Sequence, residues 1–208
     1  MIIAVDGPTA SGKGTLAKRL ADHFGVPYLD TGLLYRAVGR QVALDGRDPD
    51  NPTDAHAACA FPDDLMLDAV LRGEEVGGLA SRVSVHPEVR QALFERQRAF
   101  AEQPGGAVLD GRDIGTVIAP DAPIKLFITA STGVRARRRW LEMQKHNLDA
   151  SLADIEKEVV ARDARDMGRK DAPLKPAADA MIIDTTHFDR EAAFEAVLEA
   201  VERALKTG

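Results

Sequence analysis

The sequence predicts an α/β fold, a central parallel sheet of five strands covered by helices. Two observations predict it. Short apolar runs of strand length alternate with longer segments patterned as helices. The first of those runs leads straight into a glycine-rich loop, GPTASGKGT at residues 7–15, of the kind that joins a strand to a helix. Strands separated by helices pair in parallel and need cover on both faces of the sheet.

The strands are expected at Ile2–Asp6, Pro27–Asp30, Ala107–Asp110, Ile124–Thr129 and Met181–Asp184. Helices are expected near Lys13–Phe24, Leu33–Asp45, Pro87–Glu102, Val134–His146, Leu152–Met167 and Arg190–Lys206. The stretch from about Asn51 to Ser84 breaks this rhythm. Within FPDDLMLDAVLRGEEVGG, Leu65–Val70 and Val76 flank a Gly/Glu turn, which predicts a small β-hairpin inserted into the α/β core. No repeat, low-complexity tract or linker interrupts the chain, so residues 1–208 read as one domain with inserts.

Composition narrows the functional classes. Apolar residues make up 45 %, enough for a sizeable core. A net charge of −6 argues against a general nucleic-acid binder, as do only two Tyr, one Trp and seven Phe for stacking on bases. The single Cys59 cannot close an internal disulfide, which suits a reducing compartment. Asp6 cuts the first apolar run short, and no stretch approaches the ~18 apolar residues of a membrane span, so a cytoplasmic protein is expected.

The loop carries the first chemical signal. Its glycines let backbone N–H groups wrap phosphate oxygens, the following helix dipole favours negative charge, and Lys13 supplies a mobile cation near the outer phosphates. Gly7, Pro8, Thr9, Ala10, Ser11, Gly12, Lys13, Gly14 and Thr15 therefore form the candidate nucleotide cradle. Gly14 stands where the strict pattern places Ser or Thr, and the hydroxyl follows one place later at Thr15. Contacts from Thr15 to Mg²⁺ are therefore expected to run largely through water.

Arginines form a second basic system. Arg36 lies early on a helix in LDTGLLYR, and Arg112 follows a strand in DGRDIG. Arg135, Arg138 and Arg139 recur at helical spacing, and Arg162, Arg165, Asp166 and Arg169 follow at i, i+3, i+4 and i+7. Like charges so placed destabilise an isolated helix by tenths of a kcal/mol per pair, so an anion should face them. For residues 162–169 the sequence alone leaves two readings open, a surface salt-bridge ladder with Asp163 and Asp166 or a ligand-facing stripe. Arg112, Asp113, Asp30 and Thr31 all follow strands, at the carboxyl edge where open α/β sheets bind ligands.

Together these segments resemble the nucleoside monophosphate kinases and, within them, the bacterial-type cytidylate kinases. The resemblance spans nearly the whole chain. GPTASGKGT and LDTGLLYR are shared with adenylate kinases, whereas DGRDIGTV with RDARDMGR is more specific. It implies a P-loop nucleoside monophosphate kinase fold with a monophosphate-binding region near 31–103, a helical lid near 135–169 and a monomeric state. It also implies transfer of the ATP γ-phosphoryl group to CMP or dCMP with Mg²⁺, without nucleic-acid or membrane partners. Residue by residue, cytosine reading falls on Ser81, Arg90 and Asp113, and ribose contact on Asp166 helped by Arg162. The monophosphate falls to Arg36, Arg112 and Arg169 with Thr31 nearby, the last a conservative change from the Ser common in the family. Arg135 and Arg138, near the lid, and Arg165, on lid closure, join Lys13 and Arg112 as candidates at the transferring group.

The attacking CMP phosphate is already ionised near neutral pH, so no nucleophile–base pair is required and the five histidines are not read as catalysts. Competing readings are an adenylate kinase-like or other small-molecule P-loop kinase. A GTP switch would add an Asn-Lys-x-Asp motif, which is absent from the sequence.

Overall fold

A computed structural model describes residues 1–145 and 150–207. Five strands form one parallel sheet: β1 (Ile2–Asp6), β2 (Tyr28–Asp30), β3 (Ala107–Gly111), β4 (Ile124–Thr129) and β5 (Met181–Asp184), in the order β2-β3-β1-β4-β5. β1 pairs with β3 from Ile2↔Ala107 to Asp6↔Gly111, and with β4 from Ile3↔Ile124 to Asp6↔Phe127. The central strands are sheathed on both faces, which is why they read as continuous apolar runs rather than alternating ones. The helices are α1 (Lys13–Phe24), α2 (Thr31–Leu44), α3 (Pro52–Ala57), α4 (Glu74–Val83), α5 (Pro87–Ala101), α6 (Thr132–Lys145), α7 (Leu152–Met167) and α8 (Arg190–Thr207). His146, the last residue of the expected sixth helix, lies outside the described residues.

The chain divides into two compact units, 30–102 and the remainder. In the larger unit Leu16, Ala17 and Leu20 of α1 and Ala193, Val197 and Val201 of α8 share one core with Ile3, Val5, Val108, Leu126 and Ile128 of the sheet. A second small core joins α6 to α7 through Ala136, Ile155 and Val159, with Trp140 packed against it. Ser151 caps α7 by accepting the Asp154 N–H at 3.1 Å, satisfying one of the donors a helix start leaves open.

The unit 30–102 corrects the expected β-hairpin, because no strand forms between Asn51 and Ser84. Residues 63–72 are 3-10 turns, and Asp68 turns the chain by accepting the Val70 N–H at 2.9 Å. The segment that follows is the helix α4. Its inward residues Val76, Ala80 and Val83 recur at i, i+4 and i+7, a helical period that the expected Gly/Glu turn concealed. Gly39 lets α2 approach it, since a Cβ there would lie 2.8 Å from the Leu79 side chain and 3.0 Å from the Ala80 nitrogen. Cys59 is a free thiol, pushed up to about 11 by burial. Among the described residues no helix is long and apolar enough to cross a membrane.

Candidate active site

The loop after β1 adopts a conformation that side chains oppose. A Cβ on Gly7 would sit 2.1 Å from the backbone carbonyl oxygen of Ile128, so only glycine lets the loop leave the sheet there. Gly12 takes a left-handed φ of 89° as it opens α1, and Ala10 holds φ 58°, a region that costs a non-glycine residue roughly 1–2 kcal/mol. Lys13 is buried, with Nζ 3.5 Å from the Pro8 carbonyl. Ser11 Oγ is buried without a hydrogen-bond partner, an orphaned polar atom inside a cradle of backbone donors. The glycine at 14 has a cause too. A Cβ there would lie 2.8 Å from Asp110 Oδ2 and 3.6 Å from the Tyr28 hydroxyl, so a carboxylate from β3 occupies the space a serine or threonine would need.

Two arginines hold this loop through its carbonyls. Arg135 is 4 % exposed and donates to Thr9 O at 3.0 Å, Ala130 O at 2.9 Å, Thr132 Oγ1 at 3.2 Å and Asp163 Oδ2 at 2.6 Å. Arg138 donates to Ser11 O at 3.3 Å, Thr185 Oγ1 at 3.0 Å and Thr185 O at 2.7 Å. Burial lowers its pKa from the ordinary arginine value, opposed by Asp184. With its carbonyls tied back to guanidinium groups, the loop is braced in the conformation that shapes its N–H cradle.

Next to the loop, β3 delivers Arg112 and Asp113. Because Asp6 pairs with Gly111, the chain leaves the sheet at Gly7 and at Arg112 side by side. Arg112 donates from Nε to Asp166 Oδ2 at 2.8 Å, and Arg169 donates from Nη2 to Asp166 Oδ1 at 2.5 Å. Asp166 is 1 % exposed. Burial alone would raise its pKa, but the Arg112, Arg169 and Arg162 guanidiniums outweigh it and hold the carboxyl below its ordinary range. Within the stripe Asp166 is a buried carboxylate gripped by Arg112 and Arg169, while Arg165 is exposed. Asp113 is buried at the start of the turn Ile114–Ile118.

The unit 30–102 carries the remaining predicted residues. Arg36 donates to Leu71 O at 2.7 Å and Gly73 O at 2.8 Å, and Gly77 makes room for it, since a Cβ there would fall 2.9 Å from Arg36 Nη2. Arg90 is buried with its guanidinium carbon 5.6 Å from the Tyr35 ring centroid. Ser81 and Thr31 are also buried, and Asp30 is the residue that precedes α2. Polar side chains so withdrawn from water are costly unless paired, which separates them from ordinary loop residues.

Sequence reasoning missed three contributors. Asp6 was read only as the polar end of an apolar run, yet it accepts the Ile114 and Gly115 N–H groups, each at 2.8 Å. Asp110 reaches the phosphate loop from β3, a placement that needs the β1–β3 register. Asp163 was a candidate ladder member and instead neutralises Arg135. An acidic residue closing an apolar strand directly before a phosphate loop was the available signal for Asp6.

The family model described as cytidylate kinase matches residues 3–203. A cytidylate kinase of Methylocella silvestris is 53 % identical over 208 residues, covering 98 % of this chain and 95 % of its own. Another, of Mesorhizobium japonicum, is 52 % identical over 204 residues, covering 98 % and 94 % respectively. Among solved structures, an uncharacterized protein from Eubacterium ventriosum superposes with a TM-score of 0.56 at 18 % identity, over 98 % of each chain, which supports the fold alone. With a braced phosphate loop beside an arginine-gripped carboxylate, and a family match over nearly its whole length, this chain belongs to the cytidylate kinase family.

Proposed function

We propose that this chain transfers the terminal phosphoryl group of ATP to CMP and dCMP, giving ADP and CDP or dCDP. The observation that carries the reading is the pairing of Asp6 with Gly111, which sets the phosphate loop beside Arg112 and Asp113 at the carboxyl edge of the sheet. The cradle 7–15 takes the ATP phosphates, with Lys13 toward the outer ones. Arg112 and Arg169 grip the CMP phosphate, and Asp166, kept ionised by their charge, accepts from ribose hydroxyls with Arg162 alongside. The unit 30–102 acts as the monophosphate-binding region and contributes Arg36, Thr31 and Asp30 for the phosphate and Ser81 and Arg90 for the base.

A phosphate oxygen of CMP attacks the γ-phosphorus in line as the bond to the β-phosphate oxygen breaks and ADP departs. The nucleophile is already ionised, so catalysis consists of alignment and charge neutralisation. Lys13 and Arg112 supply charge directly. Arg135 and Arg138 act at the ATP end, through the loop carbonyls they hold. Arg165 joins when 135–169 closes as a lid and excludes water, the competing phosphoryl acceptor.

The oxygen donors present fit a Mg²⁺ ion that arrives with the nucleotide. The orphaned Ser11 Oγ, the exposed Thr15 hydroxyl and the Asp110 carboxylate are hard ligands, and an ion of this kind keeps several waters and needs few protein groups. Among the described residues no group of three or more His, Cys, Asp or Glu side chains could hold a metal by itself. When bound, the ion neutralises charge on the β- and γ-phosphate oxygens.

Base choice rests on Asp113, Ser81 and Arg90. A carboxylate accepts from the cytosine N4 amino group but meets an oxygen on uracil, which costs ~1–3 kcal/mol, about one to two orders of magnitude. Turnover with CMP, dCMP, UMP and AMP measured side by side tests this. A strong preference for the two cytidylates is expected, and preference for AMP would remove the base assignment. The chain is further proposed to act in the cytoplasm as a monomer, and a sedimentation measurement giving a larger particle would overturn the second point.

A further inference from the structure

The role of Asp6 goes beyond the assignments above. Its carboxylate lies at the end of β1, between Gly111 and Phe127 in the sheet register, one residue before the phosphate loop. It is 4 % exposed. Oδ1 accepts the Ile114 N–H at 2.8 Å and Oδ2 accepts the Gly115 N–H at 2.8 Å. Two successive backbone donors aimed at one carboxylate make a small anion nest. Its turn begins immediately after Arg112 and Asp113. Gly115 is fitted to the arrangement, since a Cβ there would lie 3.2 Å from Lys125 Cδ and 3.5 Å from Asp6 Oδ2.

We propose that Asp6 is a positioning residue, which locks the turn bearing Arg112 and Asp113 to the root of the phosphate loop and so fixes the spacing between the two phosphate grips. The inference rests on the assignment of Arg112 to the CMP phosphate and of Asp113 to its base. Asp6 adjoins Gly7 and Asp113 adjoins Ile114, so the clamp sits at the nearest point of both segments. The charges facing Asp6 are Lys13 from α1 and Asp113 from the turn itself. Lys125 of β4 lends only its aliphatic stem, because its ammonium donates to Pro120 O at 2.6 Å and Asp179 Oδ2 at 2.7 Å. Desolvation pushes the Asp6 pKa up to about 7 against the pull of the two N–H groups. Proton occupancy of the clamp therefore changes near neutral pH.

The test compares Asp6→Asn, Gly115→Ala and Arg112→Ala by steady-state kinetics with CMP and ATP varied separately between pH 6 and 8.5. Asparagine keeps one acceptor but turns an amide N–H₂ toward the other backbone donor. The expected result is a KM for CMP raised about tenfold with the KM for ATP changed less than about threefold. The CMP penalty relative to wild type should shrink as pH falls below about 7, where the wild-type carboxyl also gains a proton. Titration of the CMP phosphate is common to both proteins and cancels in the ratio. Gly115→Ala, which displaces the same turn from the Lys125 side, should show the same CMP-selective loss and keeps the question answerable if Asp6→Asn folds poorly. Equal losses for both substrates, a penalty independent of pH, or an unchanged KM for CMP in both variants would overturn the proposal. If Arg112→Ala leaves the KM for CMP unchanged, the underlying assignment of Arg112 fails instead.

Discussion

Replacing Asp166 with asparagine removes one negative charge from a buried ionic cluster of the larger unit while keeping nearly the same volume. The wild-type carboxylate is 1 % exposed and bonded to Arg112 Nε at 2.8 Å and Arg169 Nη2 at 2.5 Å, with Arg162 adding to the local positive field. Breaking a buried pair strands a charge and typically costs about 3–5 kcal/mol. For a chain of this size that corresponds to a fall in Tm of roughly 6–20 °C. Because the folded pKa lies below the ordinary 3.8, the contribution is full above about pH 4 and is lost as pH falls through the folded value. Denaturant unfolding of both proteins from pH 7 down to pH 2.5 measures it. The gap should be wide at pH 7 and close in acid. Added inorganic phosphate should restore Asp166→Asn more than it stabilises wild type, since an anion can occupy the uncompensated guanidiniums. A loss under 1 kcal/mol at pH 7, or a gap that persists unchanged in acid, would refute the view that this carboxylate organises the arginines.

Other perturbations follow from the same geometry. Gly7→Ala puts a methyl 2.1 Å from the Ile128 carbonyl and should raise the KM for ATP at least tenfold while lowering Tm, checked by kinetics and calorimetry. Arg135→Lys cannot reproduce four separate contacts from one ammonium and should cost about 2–4 kcal/mol in denaturant unfolding, with weaker ATP binding by titration calorimetry. Asp6 gives the opposite pH signature from Asp166. Its pKa rises from 3.8 to about 7 on folding, so the stability associated with its neutral form is present below pH 3.8 and is lost as pH rises through 7, roughly 4 kcal/mol in all. The unfolding free energy of wild type relative to Asp6→Asn should therefore fall as pH rises from 4 to 8, and parallel curves would disprove it.

The sheet was legible because each strand is a local apolar run ended by a polar or turn residue, and Ile2–Asp6, Ile124–Thr129 and Met181–Asp184 form at the expected boundaries. The phosphate loop was legible for the same reason, its chemistry being written in consecutive residues. What escaped was non-local. The contact between Asp110 and the Gly14 position depends on strand register, and the brace from Arg135 to Thr9 O crosses 126 positions of sequence. The insert from Asn51 to Ser84 misled because Pro62, Asp68 and paired glycines resemble hairpin punctuation, while the apolar period of Val76, Ala80 and Val83 is short. In the arginine stripe, spacing placed four residues near one face, but burial of Asp166 and exposure of Arg165 depend on what packs against α7.

The strand order has a consequence for biogenesis. β1 is the middle strand, yet both of its neighbours are made late, since Ile2 pairs with Ala107 and Ile3 with Ile124. At ~5–20 residues per second a ribosome needs roughly 5–20 s to supply β3 after β1 has emerged. During that interval the first apolar strand has no sheet partner of its own. The intervening residues 30–102 form a compact unit of their own, so they can gather while β1 waits. Their early collapse would shorten the effective loop that β1 and β3 must close, lowering the entropic cost of the first parallel pairing. The segment inserted between β2 and β3 would then serve the nascent chain before it serves any substrate.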